Sequence, residues 1–405
     1  MDKAIFVCLL ALAAVLPPAL AGCYGKNKHL KKAISDEHRY FNHKPAPVML
    51  EEELPKNFDW SNKDGRNWLV PNWNQHIPKY CGSCYLHATL TMISDRLKIA
   101  KGGRAPDVML GRQTFLNCAP QLGYSDGCDG GDVIDVVRYM KDHGLPDEGC
   151  MPYRADDYRA WGLTKKRHEP CPAIAACTNC MPDEKNPDQD RCWAIRDPVM
   201  YKLSSYGNVG PVGNFTPANE AAMMAEIYHR GPIVCSITCP DDFTWSYDGS
   251  IWNDTSGDMD VDHDIEIVGW GEENGVKYWK IRNSWGQYWG VNGFFRLTRG
   301  RNSQQIEAGD CWYAVPTFDV ETAVNNGELV GSMYGLKPAK KTPATSEDEG
   351  DEQQAGQAMQ EVRASASAKV QKGGAKARLG AGELLVQDIL AHEQQAARRH
   401  RRMAA

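Results

Sequence analysis

The chain has 405 residues, of which 24% are charged, and a formal net charge of −6. Its acidic balance argues against nucleic acid as a partner, and its length allows a sizeable core in two lobes. Composition divides it into four parts, taken here from the N-terminus.

Residues 1–21 read as an export signal. Lys3 supplies the charged start, Ala4 to Leu16 the apolar run, and Ala19-Leu20-Ala21 the small-x-small cleavage pattern. The run is too short to span a bilayer as a helix, and no later segment offers a span. A lipidated Cys23 is the rival reading, and the almost uncharged start argues against it. Residues 22–53 carry Lys and His with little apolar periodicity. Residues 54–319 are rich in Trp, Gly and Cys. Within them the first half, about 54–200, reads helical. Leu86, Leu90, Ile93 and Leu97 share one face, and Val133, Val136, Val137 and Met140 share another. From about 201 the segments Ile233 to Thr238, Asp264 to Gly269, Lys277 to Arg282 and Phe294 to Thr298 read as strands. A helical lobe followed by a β-rich lobe is an α+β arrangement, with the cleft between them as the natural site. Residues 320–405 hold an acidic block, a Lys/Arg/Ala/Ser stretch and a final ARRHRR, which reads as a disordered tail. Glu383 to Ala396 could form one amphipathic segment for an anionic surface, against the plainer reading of a solvated tail.

Export sets how cysteines are read. Removing the signal takes Cys8 and leaves 13 of the 14, an odd number in an oxidising compartment, so at least one thiol is employed differently. Cys171, Cys177, Cys180 and Cys192 could be taken for a zinc site, but their spacing has one tight pair and lacks a second. Disulfides suit them better, and no metal or cofactor is expected. The sequons at Asn214 and Asn253 fit the same secretory route.

The stretch NQHIPKYCGSC, Asn74 to Cys84, carries the chemistry. Cys81 and Cys84 could hold metal, form a redox pair, or divide the work, with Cys81 bridged and Cys84 reactive. The odd count favours division. Cys84 starts a helix, where unpaired N–H groups favour a thiolate. A nucleophile needs a base, and the base an orienting partner. His263 stands at the entrance of one strand and Asn283 at the end of the next. A hairpin around Glu272 to Gly275 would bring both to one end of the sheet.

With CGSC, the GCDGG of Gly127 to Gly131, the H-x6-GWG of His263 to Gly271 and the NSWG of Asn283 to Gly286, the chain resembles the papain-family cysteine proteases over almost all of Leu54 to Phe318. The resemblance implies a two-lobe papain-like fold, with Cys84 as nucleophile, His263 as general base and acid, and Asn283 orienting the imidazole. Gln75 would complete the oxyanion hole, Trp285 would shield the His263–Asn283 bond, and Gly130 and Gly131 would face an extended substrate.

Within that family the spacing is similar to the cathepsin X branch, also called cathepsin Z. Five residues, HIPKY, separate Gln75 from Cys81, where the family ordinarily has about two. That resemblance implies a carboxypeptidase removing single residues, with His76 protonated at acid pH to pair with the terminal carboxylate. It implies that residues 22–53 are an inhibitory pro-segment whose Cys23 locks Cys84. It also implies the bridges Cys81–Cys128, Cys118–Cys171, Cys150–Cys177, Cys180–Cys192 and Cys235–Cys311, leaving Cys239 over. The enzyme would be a monomer in a lysosome, a comparable acidic vacuole or the exterior, acting on peptides and proteins with a free C-terminus.

Other readings stay open: an endopeptidase or dipeptidase with the same nucleophile, or an exported binding protein on a dead protease scaffold. Two residues depart from the family pattern. Tyr85 replaces the usual Trp and brings a hydroxyl that burial must satisfy. Asp264 follows His263, with Asp258, Asp260 and Asp262 before it, a cluster expected to favour imidazolium and so the Cys84 thiolate.

Overall fold

A computed structural model of the chain describes residues 36–339, apart from 45, 48, 165–169, 187, 212–214 and 309. The expected signal, Cys23, Asn214 and the stretch Glu383 to Ala396 lie outside those residues.

The first half is helical, as its 3.6-residue periodicity predicts. Helix α1 (Asp36–Arg39) and strand β1 (Phe58–Asp59) precede α2 (Cys84–Ala100), α3 (Arg112–Cys118), α4 (Val133–Asp142) and α5 (Ala173–Ala176). A hairpin of β2 (Thr178–Pro182) and β3 (Asp190–Ala194) ends this half. The second half contains β4 (Lys202–Asn208), α6 (Pro217–Arg230), β5 (Ile233–Thr238), α7 (Asp241–Ser246), β6 (Ile251–Trp252), β7 (Val261–Glu273), β8 (Val276–Arg282), β9 (Phe294–Thr298) and β10 (Cys311–Thr317). The sheet runs β4-β10-β5-β7-β8-β9-β6, with β1 paired to β7 from outside that path. This is the α+β, two-lobe arrangement.

The expected hairpin forms. β7 pairs with β8 from Glu266↔Arg282 to Glu273↔Val276. Asn274 and Gly275 turn it, both at positive φ, which suits a two-residue hairpin loop. Gly269 on β7 has no room for a side chain, since a Cβ there would lie 2.2 Å from the Phe58 carbonyl oxygen of β1.

Helix α2 packs on β7, β10 and α4 and joins the lobes. Leu86, Leu90, Ile93 and Leu97 are fully buried on it, as their spacing predicts, but so are Asp95 and Arg96. A helix buried all round must find partners for such groups. Arg96 donates to the carbonyls of Pro232, Gly231 and Ala314 and to Glu226 of α6. Asp95 pairs with Arg282 of β8 at 3.1 Å.

Two boundaries move. Helix α6 lies inside the strand half, and the tail does not begin at 320. Helix α8 (Asp319–Asn325) and a hairpin of β11 (Leu329–Ser332) and β12 (Gly335–Pro338) extend the fold to 338. Polar contacts hold this extension. Glu321 meets Lys101 at 2.6 Å and Tyr201 Oη at 2.8 Å, and Leu336 N donates to the Asp197 carbonyl at 2.7 Å. An attachment made by ion pairs and backbone leaves no apolar periodicity to read. At the other end, Phe41 exchanges backbone hydrogen bonds with Tyr206 of β4, so the described end of 22–53 lies along the β lobe.

Candidate active site

Cys84 is the first residue of α2 and carries a free thiol, buried to 5% exposure. His263 stands on β7 and Asn283 directly follows β8. Their side chains meet, His263 Nε2 lying 2.9 Å from Asn283 Oδ1. Because the amide oxygen only accepts, Nε2 carries the proton and Nδ1 of the neutral ring is left as an acceptor. Asn283 Oδ1 is itself held by the Ser284 N–H at 2.8 Å. The Trp285 ring stacks on His263 at 5.0 Å between centroids, covering the ring that makes this bond. The backbone N–H of Asp264, next to His263, is directed at the Cys84 sulfur.

Gln75 is buried and fixed at both ends of its amide. Ser284 Oγ donates to its Oε1 at 2.5 Å, and its Nε2 donates to the Cys81 carbonyl at 3.1 Å. An amide nitrogen has two hydrogens, so one remains for a developing oxyanion. His76 stacks on Tyr80 with centroids 5.0 Å apart and planes 10° from parallel. A Lys79–Asp156 ion pair and a 2.7 Å bond from Tyr153 Oη to the Gln75 carbonyl tie down the inserted loop. The charge of His76, when present, depresses the pKa of His263, after burial and against the Asn283 bond.

Tyr85 is wholly buried and its hydroxyl is satisfied by Ser125 Oγ at 3.1 Å and the Gly127 carbonyl at 3.0 Å. A Cβ on Gly131 would lie 2.5 Å from the Tyr85 ring, and Gly130 sits at φ 129°. Neither position accommodates a side chain without strain. The structure forms Cys81–Cys128, Cys118–Cys171, Cys150–Cys177, Cys180–Cys192 and Cys235–Cys311. Two expectations change. Cys239 is not left over: it is disulfide-bonded. Cys84, expected to be locked by Cys23, is unbridged. Asn253 is exposed. Among the described residues no group of three or more His, Cys, Asp or Glu could hold a metal ion.

The charge state differs from the one expected at a helix start. Burial pushes the Cys84 thiol up, and the Asp264 carboxylate beside it pushes further. Burial lowers His263 to about 4 despite the Asn283 bond, and lowers His76 to about 4 as well. Burial thus moves the Cys84 thiol, His263 and His76 toward their neutral forms, against the direction expected of a helix start. One helix end cannot outweigh the desolvation of both groups.

Asp264 is raised to about 8, by burial first and then by Asp310 and Asp262. These shifts fix a pH dependence of stability. For His263 the folded value is the lower one, so its contribution is gained as pH rises from about 4 to 6.5. For Asp264 the folded value is the higher one, so its contribution is lost as pH rises from about 4 to 8. Of this pair only Asp264 still titrates above 6.5. We expect a loss of about 2 kcal/mol between pH 6.5 and 8, read as a falling melting temperature that Asp264→Asn flattens. An equal decline in that variant would refute the assignment.

Comparison with known sequences agrees with this geometry. Residues 54–314 match the papain family cysteine protease model. The chain is 34% identical over 293 residues to cathepsin Z of Onchocerca volvulus, covering 69% of this chain and 85% of that one. It is 31% identical over 268 residues to cathepsin B-like cysteine proteinase 3 of Caenorhabditis elegans, covering 64% and 65%. Among solved structures, proCathepsin B S9 from Trypanosoma congolense aligns at TM-score 0.49 and 23% identity over 70% of this chain and 86% of that one. The chain belongs to the papain family of cysteine proteases.

Proposed function

We propose that this cysteine peptidase is a carboxypeptidase, removing single C-terminal residues from peptides and proteins. The observation that carries the reading is the inserted loop between Gln75 and Cys81, tied down by Lys79–Asp156 and by Tyr153 with His76 stacked on Tyr80. His263 Nδ1 takes the thiol proton as the Cys84 sulfur attacks the last peptide carbonyl. The remaining Gln75 N–H and the Cys84 backbone N–H receive the oxyanion. His263 returns the proton to the departing amino acid, and water then hydrolyses the thioester with His263 as base. His76 receives the terminal carboxylate, whose negative charge raises the imidazole's pKa and draws a proton onto it. We further propose that residues 22–53 act as an inhibitory pro-segment and that the enzyme works as a monomer in an acidic vacuole or outside the cell. Cathepsin B-like relatives keep an endopeptidase or dipeptidase as the second reading.

The test uses the matured protein under reducing conditions and compares a free-acid peptide with its amide. Free acid should be preferred, more strongly as pH falls from 7 toward 4. His76→Ala should cut that preference about 10- to 100-fold, the loss of a charge-assisted pair. Equal cleavage of acid and amide by the unaltered enzyme would leave a cysteine peptidase of the second kind.

A further inference from the structure

The extension of the fold past the strand half builds a cleft of its own. Helix α8 and the β11–β12 hairpin face α4, α5 and the chain at 195–200, and a cavity of about 530 Å³ lies between them. Its lining is largely aliphatic: Ile195, Met200, Val320, Leu329 and Leu336 are each half-buried. None of Cys84, His263, Asn283 and Gln75 lines it. The two walls are fastened to each other, since Arg196 N donates to the Tyr334 carbonyl at 2.9 Å and Leu336 N to the Asp197 carbonyl at 2.7 Å. Arg196 and Lys337 stand exposed in the lining, and neither is ion-paired among the described residues. Asp197 is the one acid beside them. An aliphatic cavity of this size with cations at its edge suits an apolar segment that carries acids.

The chain itself supplies such a segment. The described fold ends at Ala339, directly after Pro338, and Pro338 lines the cleft. Beyond residue 340 large aliphatic residues stand together only once, as Leu384, Leu385, Val386, Ile389 and Leu390. Their spacing matches one face of a helix through Leu385, Val386, Ile389 and Leu390. Glu383, Asp388 and Glu393 fall in the same stretch, and from Glu383 to Ala397 there is no Lys or Arg. The basic residues of the tail lie on either side of it. As a flexible coil the chain from Ala339 to Glu383 reaches roughly 35 Å, which lets the segment return to the cleft, and the tether keeps its local concentration high.

We propose that Glu383 to Ala396 docks in this cleft within the same chain, its aliphatic face against Ile195, Leu329 and Leu336 and its acids against Arg196 and Lys337. The docked segment closes the cleft and carries the cluster Arg398 to Arg402 to the helical lobe. Docking concerns the chain with its tail intact and is independent of the chemistry at Cys84.

Hydrogen exchange read by mass spectrometry tests this on the full chain bearing Cys84→Ser, which removes the thiol that could trim the tail. Amides of 383–396 should exchange at least about tenfold more slowly than those of 355–375. Ile195→Asp with Leu336→Asp should abolish that difference, while unchanged exchange in α2 reports an intact fold. Arg196→Glu with Lys337→Glu should cut the protection at least about fivefold, and adding Glu383→Lys with Asp388→Lys to that chain should restore it. Such a rescue separates charge pairing from damage to the hairpin. Protection that grows with protein concentration would put a second copy's tail in the cleft and overturn the intramolecular site. Equal exchange of 383–396 and 355–375 in the starting chain, or protection that the cleft variants keep, overturns it as well.

Discussion

Cys84→Ala is expected to reduce peptide hydrolysis at least about 10⁴-fold, to background, because removing the nucleophile of a covalent mechanism removes the step that other residues assist. The side chain is small and sits at the first position of α2, so the fold should melt as before. Two measurements check this: initial rates on a fluorogenic peptide, and a thermal melt of the same sample. The loss should equal that produced by a thiol-alkylating reagent on the unaltered enzyme, since Cys84 is the one free thiol among the described residues. Residual hydrolysis within about 100-fold of the unaltered rate would move the chemistry to another residue. Because burial raises the pKa of the Cys84 thiol, alkylation of the resting enzyme should quicken as pH rises.

Glu226→Ala is expected to cost about 3–5 kcal/mol of stability, the usual result of stripping one partner from a buried ion pair. Glu226 of α6 is 2% exposed and lies between Arg96 of α2, at 2.9 Å, and Arg230. Arg230 in turn lies 4.3 Å over the Tyr313 ring of β10. Without the carboxylate two guanidinium groups face each other out of water, at the seam where α2 enters the β lobe. Urea unfolding followed by tryptophan fluorescence reads the change. A shift below about 1 kcal/mol would show that water reaches the site and that the triad does not hold the lobes together.

The two kinds of element were legible to different degrees. The α2 and α4 stripes and the strands from Ile233 to Thr298 could be read because burial on one face leaves a period in the sequence. The His263–Asn283 contact could be read because the Asn274–Gly275 turn sets the register of β7 and β8. Helix α6 was not legible as a helix. Nor was the extension through α8, β11 and β12, whose polar anchors Glu321, Tyr201 and Asp197 leave no sequence period. In the site, residue types identified the actors but not their charge. Burial, which no local pattern displays, moves Cys84 and His76 toward their neutral forms, against helix position and residue type. The acidic run around His263 was visible, but the complete burial that raises Asp264 to about 8 was not.

The hairpin at 329–338 also sets where the protein should end after trimming. A protease digests chain that can lie extended in its own cleft, and the backbone from Leu329 to Pro338 is already paired strand to strand and fastened to Asp197 and Arg196. Digestion entering from the C-terminus should therefore slow near residue 339. The product would have one reproducible mass, and its new terminus would lie at the open end of the hairpin, where Ala339 N donates to the Glu328 carbonyl. The length of the mature chain would then be decided by its fold rather than by a cleavage motif.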